Sequence, residues 1–172
     1  MEAVERVVVI GCAGSGKSTL ARQLATRSGL PLVERDSLGE EGSPGYISAI
    51  AEMAAGPRWI LDGPPYYADE IVYPRADTVL FLDYPKSLVL WRVLRRTASV
   101  ELLRRRAGAH QRQGLSSLRD PEHALRWAWT SHRDRHREGL ELMARPAMAH
   151  AQILRFTRPA TARRWLRQTA RA

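Results

Sequence analysis

The fold class that this sequence predicts is α/β: a three-layer sandwich with helices on both faces of a parallel sheet. Three observations predict it. Short β-branched apolar runs alternate with longer segments of helical periodicity. The first run leads straight into a glycine-rich turn and then an amphipathic segment. Aspartates follow several of the runs, at the edge where such a sheet binds its ligands.

The elements follow in order. Arg6-Val7-Val8-Val9-Ile10 is a buried strand. Lys17 to Ser28 carries Leu20, Ala21 and Leu24 on one face, a helix ended by Gly29 and Pro31. Leu32-Val33 is a short second strand, ending near Asp36, and the polar stretch from Glu40 to Gly45 is a loop. Tyr46 to Ala55 is helical until Gly56-Pro57 breaks it. Trp59-Ile60-Leu61 is a third strand, ending in Asp62-Gly63-Pro64-Pro65. Thr78 to Leu82 is a fourth, ending in Asp83, and Lys86 to Thr97 is a helix. Ser99 to Arg119 is arginine-rich, with glycines at 108 and 114. Pro121 to Met143 is a long helix, Ile153 to Phe156 a fifth strand, and Thr161 to Ala170 a closing helix. One domain over residues 1–172 results, with a mobile insertion at about 98–120.

Composition narrows the function classes. The 172 residues suffice for one core, and 44% apolar content argues against global disorder. No apolar run approaches the roughly 20 residues that span a bilayer. The first apolar run lacks a basic flank and is expected to be a strand, not a signal peptide. The single cysteine, Cys12, permits no internal disulfide and points to a reduced, cytoplasmic setting.

Charge is unevenly placed. Residues 1–85 hold seven Lys/Arg against twelve Asp/Glu, a net −5; residues 86–172 hold twenty against six, a net +14. The basic half suits the phosphates of small substrates, or a polyanion such as nucleic acid. Only two of the 27 basic residues are lysines. Arginine's planar fork favours bidentate phosphate contacts, though a GC-rich genome enriches arginine too.

The strongest chemical signal is Gly11-Cys12-Ala13-Gly14-Ser15-Gly16-Lys17-Ser18, which matches G-x-x-x-x-G-K-[ST]. Glycines let backbone N–H groups turn inward around phosphates with no Cβ in the way. The helix starting near Lys17 aims its free N–H groups at the same anion. Lys17 supplies a cation to the β- and γ-phosphates, and the Ser18 hydroxyl is placed to ligate magnesium. Thr19 follows, within reach of the α-phosphate. ATP with Mg2+ is the expected cofactor. The pattern is not G-x-G-x-x-G, which argues against a dinucleotide.

Asp36, Asp62 and Asp83 each follow a strand. An aspartate there is often only a turn residue or helix cap. Beside a phosphate loop, magnesium needs a carboxylate besides the Ser18 oxygen, and Asp62 and Asp83 compete for that role. Asp36 suits a different task, orienting or deprotonating an acceptor hydroxyl.

Several segments now resemble a family. The phosphate loop, Trp59-Ile60-Leu61-Asp62-Gly63, Ala76 to Pro85, Leu90 to Arg96 and Leu125 to Trp129 are similar to the small adenylate-kinase-like proteins labelled DNA topology modulation proteins. Their wider group has the nucleoside monophosphate kinase fold. The resemblance implies a P-loop NTPase sheet of five parallel strands in order 2-3-1-4-5, an arginine-bearing lid and ATP-dependent phosphoryl transfer. It implies that Gly11 to Ser18 hold phosphate, Asp62 helps hold magnesium and Asp36 lies near the acceptor. It places lid arginines among Arg104, Arg105, Arg106, Arg112 and Arg119, phosphate-clamping arginines at Arg133 and Arg137, and Arg158 beside the adenine.

The chain departs from that pattern in two places. After Gly63 come Pro64-Pro65-Tyr66, so the family's acceptor-binding arginine is missing. The stretch after strand two, Ser37 to Gly42, is acidic rather than aromatic. An acidic loop repels a monophosphate and leaves room for an uncharged or amine-bearing acceptor with a hydroxyl.

The remaining signals have plainer readings. His132 and His136 share a helix face at metal-ligand spacing but lack a third ligand, so they are expected to be solvated. Trp91, Trp127 and Trp129 are expected in the core. Tyr46, Tyr66 and Tyr67 flank the acceptor cleft, with packing the favoured role. Cys12 sits where helical N–H groups would depress its thiol pKa. The expected activity is a kinase acting on a small-molecule hydroxyl or phosphate. A nucleic-acid-associated P-loop ATPase or polynucleotide kinase, and a nucleotide-dependent switch, are the alternatives.

Overall fold

A computed structural model describes residues 4–106 and 124–169; side chains at 97, 99–106 and 124–128 fall outside that description. The sheet has five strands: β1 (Arg6–Gly11), β2 (Leu32–Glu34), β3 (Trp59–Asp62), β4 (Thr78–Leu82) and β5 (Gln152–Phe156). Every pairing is parallel and the order is β2-β3-β1-β4-β5. This is the order that the resemblance implies. β1 is central because its neighbours are β3 and β4, so the ends of all three strands meet at the glycine-rich turn.

Side-chain alternation on β1 splits the core in two. Val7 and Val9 face α1 (Lys17–Ser28), where Leu20, Ala21 and Leu24 pack. Val89 and Val93 of α4 (Lys86–Arg106), with Ala162 and Leu166 of α6 (Pro159–Thr169), complete that layer. Val8 and Ile10 face the other side. There they meet Tyr46, Ile50 and Ala54 of α2 (Pro44–Ala55), Val72 of α3 (Asp69–Val72) and Leu142 of α5 (Ala124–Ala144). Ser43 caps α2 by accepting from the Tyr46 N–H at 3.2 Å, and Pro44 takes the first turn, where its missing N–H costs nothing.

The expected elements correspond to observed ones, with boundary shifts. α4 continues past Thr97 to Arg106, so the start of the expected insertion is helical backbone. α3 had no sequence counterpart, being a single turn after a proline-rich loop.

Two core expectations are corrected. Trp91 and Trp129 are 55% and 58% exposed. The neighbouring faces of their helices carry the packing instead. Arg95 lies over the Trp91 ring, and Lys86 Nζ sits 3.7 Å from the Trp129 centroid. The Trp127 side chain lies outside the described residues.

Candidate active site

The phosphate loop is built by glycine geometry. Gly11, Gly14 and Gly16 have φ of 145°, 81° and 95°, which side-chain-bearing residues rarely adopt. A Cβ on Gly14 would lie 2.4 Å from Val93, and one on Gly11 2.7 Å from the Leu82 carbonyl oxygen. The loop therefore nests against β4 and α4 because those positions lack side chains. Gly16 caps α1 without any side-chain cap, which leaves the helix's first N–H groups directed at the turn. Arg92 braces the loop from α4, donating to the Ser15 carbonyl at 2.7 Å while lying over the Tyr84 ring.

Lys17 Nζ donates to the Cys12 carbonyl at 3.1 Å, across the loop. Burial pushes the Lys17 pKa down, and the nearby Asp62 carboxylate partly restores it. Asp62 comes from β3, whose register sets it beside Val9. Its Oδ1 is buried and has no hydrogen-bond partner among the described residues. The Ser15 hydroxyl is buried and unpartnered in the same sense. A buried carboxylate oxygen without a hydrogen bond is costly unless a further group completes the site. Magnesium-bound triphosphate fits this need: a hard cation for Asp62 and Ser18, and anionic oxygens for Lys17 and the loop N–H groups.

The other candidates fall in different surroundings. Asp83, at the end of β4, has both oxygens engaged. His136 Nδ1 lies 2.7 Å from one, and Arg155 donates to the other at 2.6 and 2.8 Å. Asp83, one of the two carboxylates expected to compete for the metal, is thus engaged within the chain, and the expectation of solvated histidines is corrected. His136 holds Asp83, and His132 Nε2 meets the Tyr84 carbonyl at 2.9 Å. Both imidazoles pin α5 to the end of β4.

Cys12 is corrected too. It is 5% exposed, and desolvation pushes its thiol up, outweighing the Lys17 charge. Arg133 and Arg137 lie on the exposed side of α5, and Arg137 pairs with Glu141. The helix turns Arg135 inward instead, two residues from each. Arg158 is exposed at the start of α6, where its carbonyl accepts from Thr161. The Arg104 side chain, like those of Arg105 and Arg106, lies outside the described residues, as do Arg112 and Arg119.

A cleft of about 260 Å³ opens beside Gly11. Its walls are the end of β1, Pro64 and Tyr66 after β3, Asp69 of α3 with Tyr73 just after it, and the inner face of α5 from Arg135 to Leu142. Gly139 allows α5 to approach the sheet: a Cβ there would lie 2.2 to 2.6 Å from the Phe81 ring. Burial pushes the Asp69 carboxyl up, with Arg145 opposing.

Two arginines close on Tyr66. Arg35 Cζ lies 4.9 Å and Arg135 Cζ 5.1 Å from its ring centroid, and Arg135 also donates to the Tyr66 hydroxyl. Arg35 binds Asp36 at 2.6 Å and Glu41 at 3.1 Å. Asp36 itself is 83% exposed and lies within electrostatic reach of Lys17. Tyr46 belongs to the core, and Tyr67 is exposed with a left-handed φ of 62°.

Solved structures settle the fold. Shikimate kinase from Acinetobacter baumannii superimposes with a TM-score of 0.52 at 19% identity, covering 97% of this chain and 91% of that one. A sugar kinase from a Janibacter species gives 0.52 at 18%, covering 98% and 91%. Deoxyadenosine kinase from M. mycoides gives 0.51 at 10%, covering 96% and 99%. The chain has a P-loop kinase fold. No family model and no curated protein matches the sequence. In this P-loop kinase fold the phosphate loop, Asp62 and the cleft share the edge where the strands end, the usual ligand side of such sheets.

Sequence reasoning missed Arg35, Arg135 and Arg92 as parts of the site. Arg35 and Arg92 sat unremarked inside segments read for other features. Arg135 is flanked by arginines at 133 and 137, and only the helix phase separates them.

Proposed function

We propose that this chain is an ATP- and magnesium-dependent kinase that phosphorylates a hydroxyl of a small molecule. The observation that carries this reading is the buried, unpartnered Asp62 oxygen beside Lys17 at the mouth of the glycine loop. The structural likeness to small-molecule kinases supports the same class.

In this reading, loop N–H groups from Gly14 to Thr19 hold the triphosphate. Lys17 sits against its terminal phosphates, and Ser18 with Asp62 holds the metal. Bound Mg·ATP supplies the transferable γ-phosphoryl group and the cation that neutralises its oxygens. The chain contributes positioning and a fixed electrostatic field, with no covalent intermediate. Gly11 and Gly14 lie close against Leu82 and Val93, where a Cβ would clash. The cleft beside Gly11 admits the acceptor, and Asp36 or Asp62 orients its hydroxyl. Arg158 lies by the base, and Arg104 belongs to the lid that excludes water. Asp83 serves architecture, since its oxygens are taken by Arg155 and His136. The resemblance to the topology modulation group extends to this scaffold, while the acceptor differs because no arginine follows Gly63.

The test is ADP release from Mg·ATP across nucleoside monophosphates, nucleosides, sugars and 5′-hydroxyl oligonucleotides. Release stimulated by one small-molecule class is expected. Release with oligonucleotides alone would replace this reading with a polynucleotide kinase.

A further inference from the structure

We infer that Asp69 orients the acceptor by accepting a hydrogen bond from a second hydroxyl group, distinct from the one that receives the phosphoryl group. The inference rests on the kinase reading above and adds a specificity-determining residue to it.

Availability is the first argument. Two carboxylates line the cleft beside Gly11, those of Asp69 and Glu138. Glu138 is taken by Arg135 at 2.7 Å. Arg135 is in turn engaged, since it also donates to the Tyr66 hydroxyl. The half-buried Asp69 side chain makes no hydrogen bond or ion pair among the described residues. Of the two lining carboxylates, it is the one left open to a donor from a ligand. A partly desolvated carboxylate gains from such a donor.

Position is the second argument. Asp69 opens α3, and core packing holds that turn at both ends. Ala68 before it, Val72 at its close and Tyr73 after it are all buried. The Tyr73 N–H donates to the Asp69 carbonyl at 3.0 Å and closes the turn. The Asp69 side chain is therefore carried by anchored backbone. The carboxylates whose charge reaches Lys17 are Asp62 and Asp36, whereas Asp69 feels Arg145, Glu138 and Glu70. Asp69 thus addresses a part of the acceptor away from the phosphates, and Asp36 or Asp62 serves the reacting hydroxyl.

Electrostatics is the third argument. Arg145 just past α5 and Glu138 on α5 act on Asp69, as does Glu70 beside it. Asp69 in turn acts on the hydroxyls of Tyr73 and of Tyr46 on α2. Burial pushes the Asp69 carboxyl up and Arg145 opposes this, yet the two make no ion pair among the described residues. Arg145 favours the ionised carboxylate without occupying it. An ionised carboxylate only accepts, so the ligand group that meets it must donate. The lining charges balance, Arg135 and Arg145 against Glu138 and Asp69. An ammonium group finds no excess negative field there, and a hydroxyl donates without disturbing that balance.

The experiment uses the full chain and Mg·ATP, with adenosine and glucose each compared with their monodeoxy analogues. For the acceptor that is turned over, loss of one particular hydroxyl should raise KM by about tenfold with kcat largely kept. Asp69→Asn should raise KM for the parent acceptor and shrink that deoxy penalty several-fold, with binding of a non-hydrolysable ATP analogue unchanged. A penalty equally large in Asp69→Asn for every analogue would overturn the inference, as would a fall in kcat alone. Arg145→Gln is the second variant. Acceptor KM should rise as pH falls and Asp69 takes up its proton, and removing the Arg145 charge should move that rise to higher pH. A profile that stays in place, or moves to lower pH, also overturns the inference. Calorimetry with the ATP analogue reads acceptor binding without turnover. Asp69-dependent binding without ADP release keeps the assignment of Asp69 and removes the kinase reading instead. Neither turnover nor binding with either acceptor overturns the inference.

Discussion

The proposed phosphate side and the proposed acceptor side of this molecule are assembled in opposite ways. The phosphate side is local: Gly11 to Thr19 are consecutive, and one strand-turn-helix unit positions them all. The proposed acceptor side draws on the loop after β3, the α3 turn and α5, with Tyr66 and Arg135 separated by 69 positions. A local site depends on backbone conformation and is robust to distant change. A composite site depends on packing, so its chemistry alters when a helix shifts.

Mutations sharpen this contrast, the largest effect coming from the local side. Lys17→Ala should lower phosphoryl transfer by about 10²–10³-fold or more in a kcat assay. The fold should persist, since the variant removes a desolvated charge. The pH dependence follows from sign. Burial holds the folded Lys17 pKa below its ordinary 10.5. Between the two values the unfolded chain carries a proton that the folded chain has lost. Wild-type stability from this group therefore rises as pH climbs toward 10.5, and Lys17→Ala should remove that slope in denaturation curves. Retained turnover would break the site assignment.

Asp62→Asn should cost about 10²-fold in kcat and raise the magnesium concentration for half-maximal rate. A matched Asp83→Asn should leave the magnesium requirement alone, because Arg155 and His136 hold that carboxylate. Equal metal effects would erase the distinction between the two aspartates.

On the composite side, Gly139→Ala places a methyl group inside the Phe81 ring's contact distance. A destabilisation of about 1–3 kcal/mol is expected by chemical denaturation. KM for the acceptor should rise as α5 moves outward, with ATP binding changed less. Equal loss at both substrates would show that the two halves are not separable. The smallest effect belongs to Trp129→Ala, which removes an exposed ring and its Lys86 contact. Less than about 1 kcal/mol is expected, against the larger loss that a core tryptophan would give.

Legibility followed the same division. The loop and the strands were readable because their signals lie within a few residues: β-branched runs, glycine spacing, and Asp at strand ends. Trp91 and Trp129 were misread because apolar neighbours on a helix do not show which face meets the sheet. Val89 and Val93 took that face, directly against Gly14. His132 and His136 were misread because their partners, Tyr84 and Asp83, lie some fifty residues away.

The sequence by itself determined the α/β alternation, the phosphate loop and its expected ligand, since hydrophobic period and glycine geometry act over short distances. The family resemblance added the strand order. Only the tertiary structure decided which aspartate keeps a buried oxygen without a hydrogen bond and which arginines line the cleft. Those outcomes depend on helix phase and long-range pairing, where one residue of rotation turns a side chain by about 100° and exchanges the cleft for solvent.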